Sequence, residues 1–333
     1  MFIMLVRFIY LFLIILTANL YSQASLFIIH TNNTNGALEN CYCPDNPLGS
    51  IEKRSIYIED FINSNPRTVI LDAGDFFTMS KKLLKDSLVC EAYATIPYDG
   101  ILLGDQEITR DQKFLNNVLP RLNSTIILSN LESPSIPSLR KYKIVKRGGL
   151  SIGLIGIMGN NALKYYPKNI KDSIILTDPT STVNDIVKKI RPRTDIIILL
   201  SHQGFEQDQV LAKSLKGVDV IIGAHSQTVP KEPVFVNDIL ISQAGREGYY
   251  VGLIELKLSR YKKIEDHLIS TISMTQDMPD DPRIMKLIKY FEDKTGLINR
   301  KKLQALDGKD NCIFCSKPSS FSNSTSSCIY CPI

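Results

Sequence analysis

The feature that most constrains this chain is a recurring one. A short apolar run stops at a polar or ionisable side chain, and a helical stretch follows. Residues 26–29, 69–71, 100–103, 125–128, 195–200, 218–222, 239–242 and 250–258 read as strands, and 142–147 with 150–157 read as a hairpin turned by Gly148-Gly149. Several runs are apolar on both faces, which predicts a sheet covered on both sides. Residues 51–63, 112–122, 181–190 and 208–215 are suited to be the covering helices. The expected fold class is α/β, with two layers of strand packing. Asn33, Asn35, Asp75, Asp105, His202 and His225 all fall at the C-terminal ends of these strands, the edge where α/β folds collect their sites.

The length of 333 residues is enough to bury a sizeable core. A balance of 39 basic against 34 acidic residues is too even to argue for nucleic-acid binding, and none is expected. Arg7 and the apolar run 8–16 form a pattern too short to span a bilayer comfortably but suited to a signal-peptide core. Ser22 and Ala24 place small residues at −3 and −1, so residues 1–24 are expected to be a signal peptide and the protein periplasmic or secreted. A membrane would be involved only through this segment if it stays uncleaved. Residues 25–260 then form the main domain. Residues 261–308 are a helical extension, with an amphipathic helix over 281–302, and residues 309–333 are a Cys-rich tail.

Six segments in order carry a resemblance: His30-Thr31-Asn32-Asn33-Thr34-Asn35-Gly36, Leu71-Asp72-Ala73-Gly74-Asp75, Leu103-Gly104-Asp105-Gln106-Glu107, Leu128-Ser129-Asn130, Ser201-His202-Gln203-Gly204 and Gly223-Ala224-His225-Ser226-Gln227. Together they resemble the calcineurin-like metallophosphoesterases, and more narrowly the catalytic domain of the 5'-nucleotidase family. The resemblance implies a β-sandwich flanked by helices, four layers in the order α/β/β/α. It also implies two metal ions sharing one Asp, with activated water attacking phosphorus.

The sequence departs from that family's pattern in a consistent direction. Asn33 and Asn35 stand where the first motif has Asp and His, and Gln227 stands where the last motif has its second His. Carboxamides are weak, neutral ligands, so the first metal site is expected to be lost. Gln106 replaces the catalytic His and cannot shuttle a proton. The second site maps onto Asp75, Asp105, His202 and His225, with Asp105 adding a carboxylate where the family has Asn. Two carboxylates and two neutral imidazoles balance one divalent ion, zinc, manganese or iron. Asn33, Asn35, Asn130 and Gln227 are expected to line the substrate pocket. Of the remaining histidines, His30 is expected to be structural and His267 solvated.

Cysteines one residue apart do not easily bond to each other, so Cys41 and Cys43 are expected to find other partners, Cys90 among them. Alternatively the pair offers thiolates to the vacated first site. Cys312, Cys315, Cys328 and Cys331 form two C-x-x-C pairs separated by twelve residues, which reads either as a second zinc site or as disulfides in an exported protein. Residues beyond 260 do not resemble the base-binding second domain of full-length 5'-nucleotidases, so no nucleotide selectivity is expected from them.

The expected function is an exported, metal-dependent hydrolase of small phosphorylated substrates. The rivals are an inactive metal- or partner-binding descendant of the fold and a sulfur- or redox-linked protein.

Overall fold

The structure is a computed structural model, and it describes residues 24–43, 47–132, 136 and 139–298. The signal-peptide reading and the four tail cysteines lie outside the described residues. Two sheets pack face to face. The first holds β1 (Ala24–Thr31), β2 (Thr68–Asp72), β3 (Gly100–Ile101), β4 (Ile126–Ile127) and β5 (Leu139–Arg140) in parallel, extended by antiparallel β12 (Tyr250–Leu258) and β13 (Ile264–Ser273) in the order β13-β12-β1-β2-β3-β4-β5. The second holds β6 (Tyr142–Arg147), β7 (Leu150–Met158), β8 (Ile196–His202), β9 (Val220–Gly223), β10 (Val234–Val236) and β11 (Ile239–Ser242) in the order β10-β11-β9-β8-β7-β6.

Side-chain alternation explains why the runs are apolar on both faces. Ile196, Ile198 and Leu200 point between the sheets, where they meet Leu26, Ile28, Val69 and Leu71. Ile197 and Leu199 point outward onto Val183, Ile190 and Leu211 of the helices Pro179–Ile190 and Phe205–Ala212. On the other outer face, Ile29 and Ile70 meet Ile58, Val89 and Ile284 of the helices Ile51–Ser64, Leu83–Tyr93 and Pro282–Thr295. The layering is the expected α/β/β/α.

Several expectations are corrected. The segment after residue 260 begins with a strand, because β13 pairs with β12 along its length. It is an edge strand, and its charged residues Glu265 and Asp266 are exposed, as sheet edges require. The following helix spans Pro282–Thr295, capped by Asp281 Oδ1 accepting from the Arg283 amide at 2.8 Å and ended by Gly296 at φ 64°. The helix Leu83–Tyr93 is an addition to the expected set; its first turn, Lys82-Leu83-Leu84-Lys85, has no capping side chain to announce it. Cys41 and Cys43 are bonded to each other, and Cys90 is buried and free. The loop at Tyr42 turns through a positive φ of 45°, which brings the two sulfurs together, so neither reaches Cys90. His267 is not fully solvated: its half-buried ring packs on Phe235 at 4.5 Å between centroids.

His30 is fully buried, as the structural reading requires, with Nε2 2.9 Å from Ser242 Oγ. Its ring occupies space left by Gly252 on β12, where a Cβ would overlap the imidazole. Gly252→Ala is therefore expected to destabilise the fold by about 1–3 kcal/mol in urea unfolding. Burial lowers the His30 pKa to about 3 from an ordinary 6.5. The unfolded chain takes up a proton below that ordinary value while the folded chain does not. Stability should thus fall as pH drops below 6.5, by about 1.4 kcal/mol per pH unit from this group. His30→Gln should flatten that component in urea titrations between pH 6.5 and 4.5.

Candidate metal centre

The carboxyl ends of β1, β2 and β3 from one sheet and of β8 and β9 from the other meet at one edge of the sandwich. Asp75, Asp105, His202 and His225 converge there, each offering one ligand atom, and these atoms all lie within 4.8 Å of one another. His202 Nε2 stands 3.0 Å from Asp105 Oδ1 and 3.3 Å from Asp75 Oδ2, and His225 Nδ1 stands 3.2 Å from Asp105 Oδ1.

The backbone is bent hard to achieve this. Asn33, Asn35, Asp75, His225 and Gln227 all have φ between 47° and 72°, a left-handed region that side chains other than glycine seldom occupy. Gly74 and Gly104 make the crossing of the two loops possible. A Cβ on Gly74 would stand 2.6 Å from the Gly104 amide, and a Cβ on Gly104 would fall on Asp75 Oδ1 and His202 Cε1. Glu107, fully buried, then pins the crossing. Its carboxylate accepts from the amides of Asp75 at 2.9 Å, Phe77 at 2.8 Å and Gly104 at 2.8 Å.

His202 Nδ1–H donates to the Ala73 carbonyl at 2.9 Å, which turns Nε2 toward the two carboxylates. Burial by itself would lower the His202 pKa, but Asp75 and Asp105 outweigh it and hold the ring well above its ordinary value. Burial would likewise raise Asp105, but hydrogen bonds with His202 and His225, the His202 charge and the Tyr166 hydroxyl pull it below the usual carboxylate range. Glu107 is raised to about 8, first by burial and then by Asp75. The donor set fits a divalent ion: two carboxylates and two imidazoles, with one imidazole already committed through its other nitrogen to a backbone carbonyl.

The expected pocket residues separate into three groups. Asn33 is fully buried, and its Oδ1 accepts from the His225 amide at 3.0 Å and from Asn32 Nδ2 at 2.8 Å. The backbone donor fixes which way the amide points, so Asn33 presents N–H and not oxygen to Asp75, at 3.4 Å. Asn35 Oδ1 accepts from Gln106 Nε2 at 2.8 Å, closing an amide pair beside Asp75. Gln227 is half-buried two residues beyond His225. Asn130 is tied to backbone groups: its amide donates to the carbonyls of Met158 and Thr177 and accepts from the Met158 amide, at 2.8, 3.0 and 3.0 Å. Those backbone groups take both of its N–H donors and one lone pair of its oxygen, so the side chain clamps the end of β7. Cys41 and Cys43 do not join the ligand cluster; bonded to each other, they have no thiolates to offer it.

Sequence reasoning missed two residues here. Glu107 had a usable signal, the Gly-x-x-Glu spacing that lets a side chain reach back to the amide three residues earlier. Tyr166, whose hydroxyl donates to Asp105 Oδ2 at 2.8 Å, comes from a loop 61 residues away and had none. A cavity of about 510 Å³ lies at the opposite end of the second sheet, where Arg191 pairs with Asp219 at 2.6 Å and Lys262 with Asp195 at 3.1 Å.

No protein-family profile matches the chain. It is 24% identical to a 5'-nucleotidase of Bos taurus, over 85% of this chain and 56% of that protein. It is 25% identical to the uncharacterized metallophosphoesterase YunD of Bacillus subtilis, over 72% of this chain and 52% of that protein. Among solved structures, the 5'-nucleotidase precursor of Thermus thermophilus superposes with a TM-score of 0.73 at 22% identity, over 82% of this chain and 59% of that one. The chain is thus similar to 5'-nucleotidases and to a metallophosphoesterase, and it shares the fold of a solved 5'-nucleotidase precursor. It spans about half the length of the curated relatives it matches. No helix among the described residues is long and apolar enough to cross a membrane.

Tyr166→Phe removes one hydrogen bond from Asp105 and leaves the four candidate ligands in place. It is expected to weaken metal binding about 10-fold, read by competition with a chromophoric chelator. Unchanged affinity would show that the hydroxyl does not orient Asp105.

Proposed function

We propose that the chain is a metal-dependent phosphoester hydrolase working with a single divalent ion held by Asp75, Asp105, His202 and His225. The observation that carries this reading is the direction of Asn33. With its oxygen committed to the His225 amide, the position beside Asp75 offers a hydrogen-bond donor where a second ion would need a lone pair. When bound, the single ion supplies Lewis-acid polarisation of a phosphoryl oxygen.

The chain's own residues do the rest. Asn33 and the Gln106 amide hold Asp75 from two sides, the latter donating to Asp75 Oδ1 at 3.1 Å. Tyr166 holds Asp105. Gln106 has no acidic proton to give, and one of its side-chain N–H groups donates to Asn35. The leaving group therefore departs without help, which favours esters of acidic alcohols. The 5'-nucleotidase relatives suggest a small phosphorylated substrate, and the residue 1–24 pattern suggests action outside the cytoplasm.

The purified protein is expected to carry one ion per chain by elemental analysis and to hydrolyse 4-nitrophenyl phosphate or bis(4-nitrophenyl) phosphate faster than alkyl phosphates. Asp75→Ala should abolish both metal and turnover. Gln106→His should restore part of a general acid and raise the rate on alkyl phosphates by about 10²-fold. Two ions per chain would refute the single-ion reading, and wild-type hydrolysis by Asp75→Ala would refute the site. The Gln106–Asn35 amide pair favours a second reading, an inactive descendant that keeps its metal. Bound metal without turnover of any ester would select it.

A further inference from the structure

The segment that leaves the metal centre after Asp75 carries a surface that the proposed hydrolysis does not use. Residues 79–84, Met-Ser-Lys-Lys-Leu-Leu, are all exposed. Met79, Leu83 and Leu84 keep 71, 49 and 38% of their surface in solvent. No other stretch of six among the described residues holds three large apolar side chains so exposed. Single exposed apolar residues need no explanation, whereas a cluster of them marks a contact surface. We propose that residues 79–84 are a docking surface for an anionic lipid bilayer, separate from residues 1–24.

The tip is built and held from both ends. Asp86 Oδ1 accepts from the Thr78 amide and the Thr78 hydroxyl, both at 2.7 Å. Asp86 Oδ2 accepts from Arg110 Nε at 2.9 Å, and Arg110 also donates to the Thr78 carbonyl. This ion pair is buried, with side chains 2 and 0% exposed. Thr78 Oγ1 accepts in turn from the Lys82 amide at 2.8 Å, and Lys81 makes the turn at a φ of 55°. A Cβ on Gly36 would fall on Thr78, so the base of the tip also rests against the first loop. A buried charge pair costs desolvation. Here it holds three apolar side chains out in water, where they add nothing to the core.

Charge decides the partner. Lys81 and Lys82 stand among the three apolar side chains, exposed and in no ion pair among the described residues. The helix Leu83–Tyr93 starts there without a capping side chain, which adds the positive end of its dipole. The neighbouring acids are engaged elsewhere: Asp86 by Arg110 and Thr78, while Glu39 and Glu247 act on half-buried Lys85. Apolar side chains interleaved with lysines suit a bilayer interface. The acyl boundary takes Met79, Leu83 and Leu84, and anionic headgroups meet Lys81 and Lys82. A stable protein–protein contact takes about 20–30 residues a side, more than this tip presents. Met79 follows Asp75 by four residues, so docking would hold the metal centre at the bilayer surface; that consequence alone rests on the hydrolase reading.

The test needs neither metal nor ester, so its failure and the failure of the hydrolase reading are separable. The chain contains no Trp, so a single introduced Trp reports its own surroundings. Met79→Trp in the full chain is mixed with phosphatidylcholine vesicles, with and without phosphatidylglycerol. Val210→Trp, exposed on the helix Phe205–Ala212 over the second sheet, is the control and carries the same residues 1–24. Anionic vesicles are expected to shift the Met79→Trp emission to the blue and to let brominated acyl chains quench it, with no change in Val210→Trp. Inorganic phosphate alone is expected to do neither. In the Met79→Trp chain, Lys81→Gln/Lys82→Gln should raise the lipid concentration needed for the response about 30-fold. Leu83→Ser/Leu84→Ser should abolish the response. An equal response on neutral vesicles, a Met79→Trp response no larger than that of Val210→Trp, or a blue shift that follows protein concentration without lipid, as a second copy of the chain would give, would overturn the proposal.

Discussion

The site depends on a single hydrogen bond between the sheets. His202 ends β8 in the second sheet, and Ala73 follows β2 in the first; the Nδ1–H to carbonyl bond joins them at 2.9 Å. Only with that nitrogen committed does Nε2 face Asp75 and Asp105. The close approach it demands leaves no room for a Cβ at Gly104, and it explains the three backbone amides gathered on Glu107. A carboxylate with three such partners would ordinarily titrate low. Burial and the neighbouring Asp75 charge raise it instead, so the crossing is held at an electrostatic cost. The reward is two carboxylates and two imidazoles on one centre.

What was legible in the sequence was local. A buried strand that ends in an ionisable residue is a short pattern, and Asp75, Asp105, His202 and His225 each lie within a few residues of such an end. The layering was legible for the same reason, since Ile196 to Leu200 can be apolar at every position only if both faces are covered. What was not legible depends on contacts far apart in the chain. Tyr166 reaches Asp105 across 61 residues, and no pattern around either residue announces it. β13 was hidden because an edge strand buries only part of its surface, so its exposed charges mask the alternation.

Asn33 and Asn130 show why residue type alone does not assign a role. Both are buried amides at strand ends, and both bond to backbone groups. Asn130 spends both of its N–H donors on the Met158 and Thr177 carbonyls, while Asn33 spends its oxygen on the His225 and Asn32 donors and turns an N–H to Asp75. The number of backbone groups left unpaired nearby decides the difference, and that count is set by tertiary structure.

The same backbone bonding explains how the loops at this edge hold their path with amides at positions 33 and 35. Asn33 N, Asn35 N and Gly36 N donate to the carbonyls of Gly74, Asp75 and Phe76 at 2.8, 2.9 and 3.0 Å, a ladder that fixes the first loop against the second. It fixes the path of residues 33 and 35 whatever their side chains, although their left-handed φ favours Asn and Asp over most others. An amide in place of a ligand therefore leaves the loops in position. A charge at Asp105 is different, because it must be met. His202, His225 and Tyr166 all turn toward it, so a change at this position would leave three groups without their partner.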